Sequence, residues 1–296
     1  MEIVNANALP VSALRCRQIN ETDLAAVARL LARGFPKYNY QFWRRALQRL
    51  TERELPPNWP RYGYLMEKDA VLVGVLLLIY SPMRANNELI TRCNLSSWYV
   101  EPEFRAYAAL FPLHALRDKA VTYINISPKQ HTWPIIEAQG FTRYCDGSFI
   151  TLPTLKGLLG GPRVKVITGG VKPDVPFDPY DQDLLIQHAA YGCTSLWCAT
   201  LERAYPFVFR SRFVSRLVPC VQLIYCRDMV DFTRFAGPIG RFFALRGKPF
   251  VIIDANGPIP DLVGAFFPDR PRKYFKGPHR PRLGDLTYTE RAIWGV

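Results

Sequence analysis

Three side chains near the middle of the chain are of the types that transfer protons or stabilise a negatively charged oxygen. Tyr99 lies at the end of an expected strand, Glu101 follows it, and His131 comes further along the chain. A carboxylate accepts a proton, a phenol donates one, and an unperturbed histidine titrates near neutral pH. We therefore take them as candidate acid and base groups. The plainer interpretation is that Glu101 is a surface carboxylate and His131 a solvated residue at a helix start.

A positively charged residue follows the same strand, at a point where a helix is expected to begin. Residues 105–110 are Arg-Ala-Tyr-Ala-Ala-Leu. Backbone N–H groups at a helix start, beside the exposed end of a strand, are well suited to hold phosphate groups. We therefore expect an anion site with Arg105 as its charged contact. The alternative is an ordinary helix start with a solvated arginine.

Strands and helices must alternate to position these residues. Hydrophobic spacing and capping residues predict a strand at 14–19, helices at 24–34 and 40–50, a hairpin at 62–80, a strand at 94–100, a helix at 105–116, a strand at 121–126, a helix at 132–139 and a strand at 147–152. This order indicates an α/β protein, of the α+β kind, with a mixed sheet.

A stretch rich in glycine, proline and lysine at 153–180 predicts a linker that contains a short strand at 164–167. We therefore expect a first domain over 1–155, a linker over 156–180 and a second domain over 181–296. The expected elements of the second domain are a helical region at 181–204, a strand at 217–225, a helix at 232–245, a strand at 250–254, a loop at 270–282 and a last strand at 286–294.

The second half weakly repeats the first. The residues Ala-Leu-Arg at 115–117 recur at 244–246, and the same offset aligns Ile124 with Ile253. Both copies run strand, arginine loop, helix, strand. An internal duplication would make the protein a tandem pair of similar folds. Because the matches are few, chance similarity is the alternative.

The composition favours an anionic ligand. The formal net charge is +13 over 296 residues, and the excess is spread over both halves. Such a field attracts nucleic acid, an acidic membrane surface or a phosphorylated cofactor. A single cofactor with several phosphate charges explains the excess without nucleic acid.

The cysteines and the apolar segments indicate in which cellular compartment the protein is expected. Seven cysteines are scattered without C-x-x-C spacing, which predicts neither a zinc site nor a disulfide framework and fits reduced cytoplasmic thiols. The chain start lacks the pattern of a signal peptide, and the longest apolar run, 70–80, is too short to span a bilayer. We expect a cytoplasmic protein with no metal and no membrane span.

Three segments together resemble the GNAT acyltransferase superfamily over about residues 14–152. The family's phosphate loop reads roughly Arg/Gln-x-x-Gly-x-Gly/Ala, and here 105–110 keeps the arginine but has alanine and leucine at the glycine positions. Residues 98–102, Trp-Tyr-Val-Glu-Pro, resemble the end of the family's fourth strand. Residues 135–141, Ile-Ile-Glu-Ala-Gln-Gly-Phe, resemble its closing helix and Gly-Phe signature.

The resemblance implies a GNAT-like fold, in two tandem domains if the duplication is real, and acetyl-CoA or another acyl-CoA as co-substrate. Many family members place a tyrosine acid where this chain has Ile136, so the usual acid is absent and His131 is the candidate substitute. The implied cofactor contacts are Trp98, Tyr99, Val100, Arg105, Ala106, Tyr107, Ala108, Ala109 and Leu110.

The implied function is transfer of an acyl group, acetyl first among the candidates, to an amine or hydroxyl of a small molecule or glycan. Direct attack without an acyl-enzyme is the implied route. Tandem GNAT-like domains also occur in aminoacyl transferases of the Fem type, so a carrier other than CoA stays open. Two other classes also stay open: a catalytically silent CoA-binding module, and a basic nucleic-acid-binding protein.

Overall fold

The computed structural model describes residues 14–55, 58–85, 88–159, 165–214 and 217–295. The chain divides into two compact units, Met1–Val121 and Thr122–Val296. No helix in the described part of the chain is both long enough and apolar enough to cross a bilayer.

The first unit contains an antiparallel sheet in the order β1-β2-β3-β4. Its elements are β1 (Arg15–Gln18), α1 (Leu24–Gly34), α2 (Tyr40–Thr51), β2 (Gly63–Lys68), β3 (Val71–Ala85), β4 (Glu88–Val100) and α3 (Leu110–Ala115). The predicted first strand, two helices and hairpin are confirmed.

Local sequence explains the start of the 3₁₀ turn Glu21–Asp23, which leads directly into α1. The Asn20 side chain accepts a hydrogen bond from the Thr22 amide, and the Asp23 carboxylate accepts one from the Asn20 amide. This reciprocal pair is a capping box, which satisfies backbone donors that a helix start leaves open. The apolar faces of α1 and α2 are buried, so both helices present their polar faces outward.

The second unit contains strands in the order β5-β12-β6-β11-β10-β9-β8-β7. Its elements are β5 (Thr122–Asn125), α4 (Trp133–Ala138), β6 (Thr142–Thr151), β7 (Lys165–Thr168), α5 (Pro179–Ala190), β8 (Thr194–Ala199), β9 (Ala204–Val214), β10 (Val218–Cys226), α6 (Met229–Ala244), β11 (Phe250–Ala255), β12 (Gly264–Lys276) and α7 (Glu290–Ile293). Strands β10 and β11 are parallel, and the other neighbouring pairs are antiparallel.

The order of elements repeats along the chain. The first copy runs strand, two helices, three antiparallel strands, helix and strand from β1 to β5, and the second runs in the same order from β7 to β11 with the single helix α5 in place of the two. The offset found in the sequence aligns Ile124 of β5 with Ile253 of β11, and Ala115 and Ala244 are the last residues of α3 and α6. This agreement is compatible with two tandem GNAT-like domains.

The predicted domain boundaries, 1–155 and 181–296 with a linker at 156–180, differ from the two units. Strand β6 pairs with both β11 and β12, so residues 142–151 are joined by backbone hydrogen bonds to residues 250–276. The predicted short strand in the linker is present as β7, although Val164 lies outside the described residues. The predicted boundaries stay a prediction.

Three predictions for the second half are wrong. The helical region 181–204 contains one helix, α5, followed by strands β8 and β9. Nearly all residues of β8, including Cys198, are buried. Its apolar run therefore shows no hydrophobic period by which the sequence could distinguish a strand from a helix. Most of the predicted loop 270–282 is strand β12, whose prolines sit at a break in the register. Residues 286–294 contain α7 in place of a strand.

Candidate active site

Strand β4 has an irregularity close to its end. Val75 of β3 pairs with Tyr99 of β4, and Leu77 pairs with Ser96. Between these two pairs, β4 contains one residue more than β3. The extra residue is a β-bulge, and Ser97 adopts a left-handed backbone conformation with φ +50°. A bulge turns the following side chains to new directions, so the direction of the Tyr99 side chain does not follow from simple alternation along β4.

The ring of Tyr99 lies directly against the end of α1. A Cβ atom at Gly34 would be 2.3 Å from Cγ of Tyr99, which is far inside a normal contact distance. The Phe35 ring lies on the same side, 6.2 Å from the Tyr99 ring between centroids. A residue without a side chain is therefore required at position 34.

The carboxylate of Glu101 has partners on both oxygens. Its Oε2 accepts a hydrogen bond of 2.8 Å from the Tyr99 hydroxyl, and its Oε1 accepts bonds of 3.0 and 2.8 Å from the Arg33 guanidinium. Burial opposes ionisation of Glu101, but the hydrogen bonds from Tyr99 and Arg33 outweigh it and lower the pKa of Glu101. Burial, aided by Glu101, raises the pKa of Tyr99.

These shifts assign different properties to the two groups. A carboxylate with a lowered pKa is a weak proton acceptor, whereas a phenol with a raised pKa keeps its proton and acts as a hydrogen-bond donor. The structure thus brings Tyr99 and Glu101 together, with Arg33 and Gly34 beside them. Sequence reasoning missed Arg33 and Gly34 because their partners are distant in the chain.

The predicted phosphate-binding segment is not one continuous helix. Residues Pro102–Tyr107 form a 3₁₀ helix, and α3 begins at Leu110. Pro112 lies in the first turn of α3, where its missing N–H causes no loss. Because Pro112 has no N–H, it cannot donate the hydrogen bond to the Ala108 carbonyl that an α-helix starting earlier would contain.

The cofactor-contact candidates in this segment differ in exposure. Residues 105–107 and Ala109 are exposed, and Ala108 and Leu110 are half-buried. The Ala108 amide donates to the Arg105 carbonyl at 3.1 Å, so this N–H already has an acceptor within the chain.

The strand residues that precede the segment are packed. The Trp98 ring meets the Phe111 ring edge-on, at 6.4 Å between centroids, and Val100 is buried. The Trp98 contact thus packs the end of β4 against α3.

The closing helix has the geometry that its sequence predicts. Gly140 has φ +82° and its amide donates to the Glu137 carbonyl at 2.9 Å, which ends α4, and Phe141 is buried. Ile136 is buried in the position of the expected acid. His131 is exposed in a 3₁₀ turn of the second unit.

In the second copy of the repeat, β10 corresponds to β4. Strands β10 and β11 pair at residues 220–222 and 250–252 only, and β10 continues to Cys226. Strand β10 also carries a bulge, because Leu223 pairs with Phe209 and Tyr225 with the adjacent Val208. The two copies therefore share a bulged strand, and in the second copy this strand separates from its parallel neighbour.

The free edge of β10 is filled by the chain itself. The Cys226 amide donates to the Gly284 carbonyl at 3.0 Å, and the Leu286 amide donates to the Ile224 carbonyl at 2.7 Å. Between them, Tyr225 forms an antiparallel bridge with Asp285. Since β9 pairs with the opposite edge of Tyr225, residues 284–286 occupy the edge that β11 leaves. We call residues 284–286 the edge segment; sequence reasoning did not find it.

The start of α6 in the second copy is acidic. Asp228 is its N-cap and accepts a hydrogen bond of 2.9 Å from the Val230 amide. Burial, and then the charge of Asp228, raise the pKa of Asp231. The neighbouring Arg227 is paired at 2.6 Å with Asp178 and with Asp181. A helix start with its own carboxylate cap is a poor site for a second anion.

Comparisons with known proteins rest on structure alone. The sequence matches no protein-family model and no curated protein. A GCN5-related N-acetyltransferase from Anabaena variabilis superposes with a TM-score of 0.56 at 9% identity, covering 95% of this chain and 75% of that one.

Two further solved structures are similar. A GCN5-related N-acetyltransferase from Kribbella flavida has a TM-score of 0.53 at 14% identity, covering 89% of this chain and 71% of that one. A protein from Pyrococcus horikoshii has a TM-score of 0.55 at 11% identity, covering 99% and 97%. At these identities the likeness concerns architecture, and together with the repeated order of elements it leads us to conclude that the chain has the mixed α/β fold of the GNAT superfamily.

Proposed function

We propose that the protein is an acyltransferase that moves an acyl group, acetyl first among the candidates, from acyl-CoA to an amine or hydroxyl of a small molecule or glycan. The observation that carries the proposal is the bulged end of β4, where Tyr99 is held by Gly34 and Glu101 and Arg105 follows in an exposed segment. The acceptor attacks the thioester directly in this proposal, without an acyl-enzyme.

The chain's own groups suggest how the co-substrate would be held. Backbone groups of 98–100 would face the pantetheine arm, and Arg105 with the backbone of 105–110 would face the pyrophosphate. The exposed Arg105 guanidinium suits an anion. The Ala108 amide is already hydrogen-bonded within the chain. Arg105 would therefore contribute more to phosphate binding here than the corresponding residue does in the glycine-rich loops of the family.

Tyr99 is the proposed hydrogen-bond donor at the reacting centre. Its raised pKa keeps it protonated, and a donor aimed at a developing oxyanion or thiolate lowers the barrier. Glu101 would orient this hydroxyl and is the proposed base only if its contact with Arg33 opens. His131 stays a proposed proton-transfer residue. The seven cysteines are all free, which is consistent with a cytoplasmic location.

We place the co-substrate site in the first copy of the repeat. In the second copy the equivalent strand edge is bonded to the edge segment, and Asp228 caps the helix start. We therefore expect isothermal titration calorimetry to give one acetyl-CoA bound per chain. Two bound molecules would contradict this placement, and no binding would contradict the proposed function.

Turnover is tested separately from binding. Release of free CoA thiol from acetyl-CoA, measured over a panel of amines and hydroxyl compounds, is expected to exceed the rate without acceptor. Binding of CoA without any such release would favour the silent CoA-binding alternative. That alternative is supported by the buried Ile136 at the usual acid position.

Arg105 gives the sharpest local prediction. Loss of a charged hydrogen-bond partner of a phosphate removes about 1.5–3 kcal/mol, so Arg105→Ala is expected to weaken CoA binding about tenfold or more by calorimetry. The matched control is Arg246→Ala, which removes an exposed arginine of the second unit. Equal CoA affinity in wild type and Arg105→Ala would remove Arg105 from the site.

A further inference from the structure

The two helices beside the candidate site are uniformly basic. Residues 24–51 contain six lysines and arginines and no aspartate or glutamate. The inner faces of α1 and α2 are buried and apolar. The charges therefore lie on the outer surface, where no carboxylate of the same two helices can balance them.

Two of these arginines meet at one aromatic ring. The guanidinium carbon of Arg29 lies 5.9 Å from the centroid of the Tyr40 ring, and that of Arg44 lies 6.0 Å from the same centroid. Nη1 of Arg44 also contacts the Tyr40 hydroxyl at 3.3 Å. Within the described part of the chain, neither arginine forms an ion pair with a carboxylate.

This arrangement concentrates positive charge at a defined place. Like charges held near one another on the two helices repel each other, and the Tyr40 ring offsets this only in part through cation–π attraction. An anionic group at the ring would neutralise both arginines. Guanidinium groups bind phosphate and carboxylate oxygens through paired N–H donors. We call Arg29, Tyr40 and Arg44 the arginine pair site.

Arg29 of the arginine pair site lies on α1, the helix whose end contacts the candidate reacting centre through Arg33 and Gly34. Arg29 precedes Arg33 by one helical turn, which is a rise of about 6 Å along α1. Arg33 contacts Glu101, which in turn holds the Tyr99 hydroxyl. An acceptor that extends along α1 from a nucleophile near Tyr99 would meet Arg29 with its other end.

We infer that the acyl acceptor carries a phosphate or carboxylate group, which Arg29 and Arg44 bind. This inference rests on the proposed function and adds the substrate class. A negatively charged acceptor also agrees with the net charge of +13, since a positive field raises the encounter rate with anions.

Three amines with the same two-carbon frame test this inference. Ethanolamine has no anionic group, O-phosphoethanolamine carries a phosphate and β-alanine carries a carboxylate. With CoA-saturated wild-type protein, calorimetry is expected to show at least about tenfold tighter binding of one or both anionic amines than of ethanolamine. The stronger of the two identifies the anion. Thiol release from acetyl-CoA is expected to rank the amines in the same order.

The variant Arg29→Gln with Arg44→Gln is expected to abolish this preference and to leave the CoA affinity unchanged. The matched control is Arg241→Gln with Arg246→Gln, which removes the same charge from exposed positions of the second unit and should keep the preference. Equal binding of all three amines by the wild type, or equal loss in both variants, would overturn the inference.

Two other outcomes are distinguishable. Single-stranded RNA that binds at the arginine pair site, and that the Arg29→Gln, Arg44→Gln variant no longer binds, would assign the site to nucleic acid and overturn the inference. Absence of CoA binding by the wild type would overturn the proposed function itself, whereas lack of anion preference with thiol release intact overturns the substrate class alone.

Discussion

Replacing Lys273 with methionine is expected to lower the free energy of unfolding by about 3–5 kcal/mol. The Lys273 side chain is fully buried, and its Nζ lies 2.8 Å from Oδ1 of Asp254, which is itself 3% exposed. Removal of the ammonium leaves the carboxylate as an uncompensated buried charge, which is far more costly than the loss of the pair as a whole. Urea unfolding followed by circular dichroism measures the effect.

The double variant is the control. Lys273→Met with Asp254→Leu removes both charges, and replacement of a buried ion pair by apolar groups is often close to neutral. We therefore expect most of the lost stability to return. A single variant that loses less than about 1 kcal/mol would show that Asp254 finds another partner or becomes protonated at little cost.

Gly34→Ala is expected to reduce acyl transfer by about 100-fold while leaving CoA binding in place. The new methyl group would be 2.3 Å from Cγ of Tyr99, so the ring must move and its hydroxyl must leave Glu101. A misplacement of about 1 Å at a reacting group costs on the order of 100-fold in rate. The measurement is thiol release with the fastest acceptor, together with CoA affinity.

Gly170→Ala provides the matched control, because a Cβ atom there would contact nothing within 4 Å. It should retain full activity. A second comparison uses Tyr99→Ala: adding Gly34→Ala to it should cause little further loss, since the clash partner is gone. Full thiol release by Gly34→Ala would remove Tyr99 from the reacting centre.

The first half of the fold follows from local patterns. Helices α1 and α2 are amphipathic with capping asparagines before them, and β2 and β3 are two strand-forming segments joined by a short turn. The second half is less predictable because β8 is buried on both sides and because the prolines of β12 indicate a loop. Both errors arise where tertiary burial overrides the local signal.

The residues of the candidate site likewise divide into those that local sequence patterns predict and those that only the structure shows. Tyr99, Glu101 and Arg105 were found because they adjoin a strand end and a helix start. The contacts of Tyr99 with Gly34 and of Glu101 with Arg33 join residues that are distant in sequence, and one sequence contains no signal for them. The edge segment is hidden for the same reason, since its only pattern is its pairing with β10.

The position of β12 also restricts when the protein can acquire its structure. Strand β12 lies between β5 and β6, where Tyr274 pairs with both Asn125 and Arg143, so about half of the chain separates the paired residues. A ribosome produces these partners many seconds apart. Strands β5 and β6 therefore each have an unpaired edge until translation is nearly finished. Contacts between residues so far apart in sequence also slow folding. Synthesis of this protein thus includes a period in which an aggregation-prone strand edge needs protection.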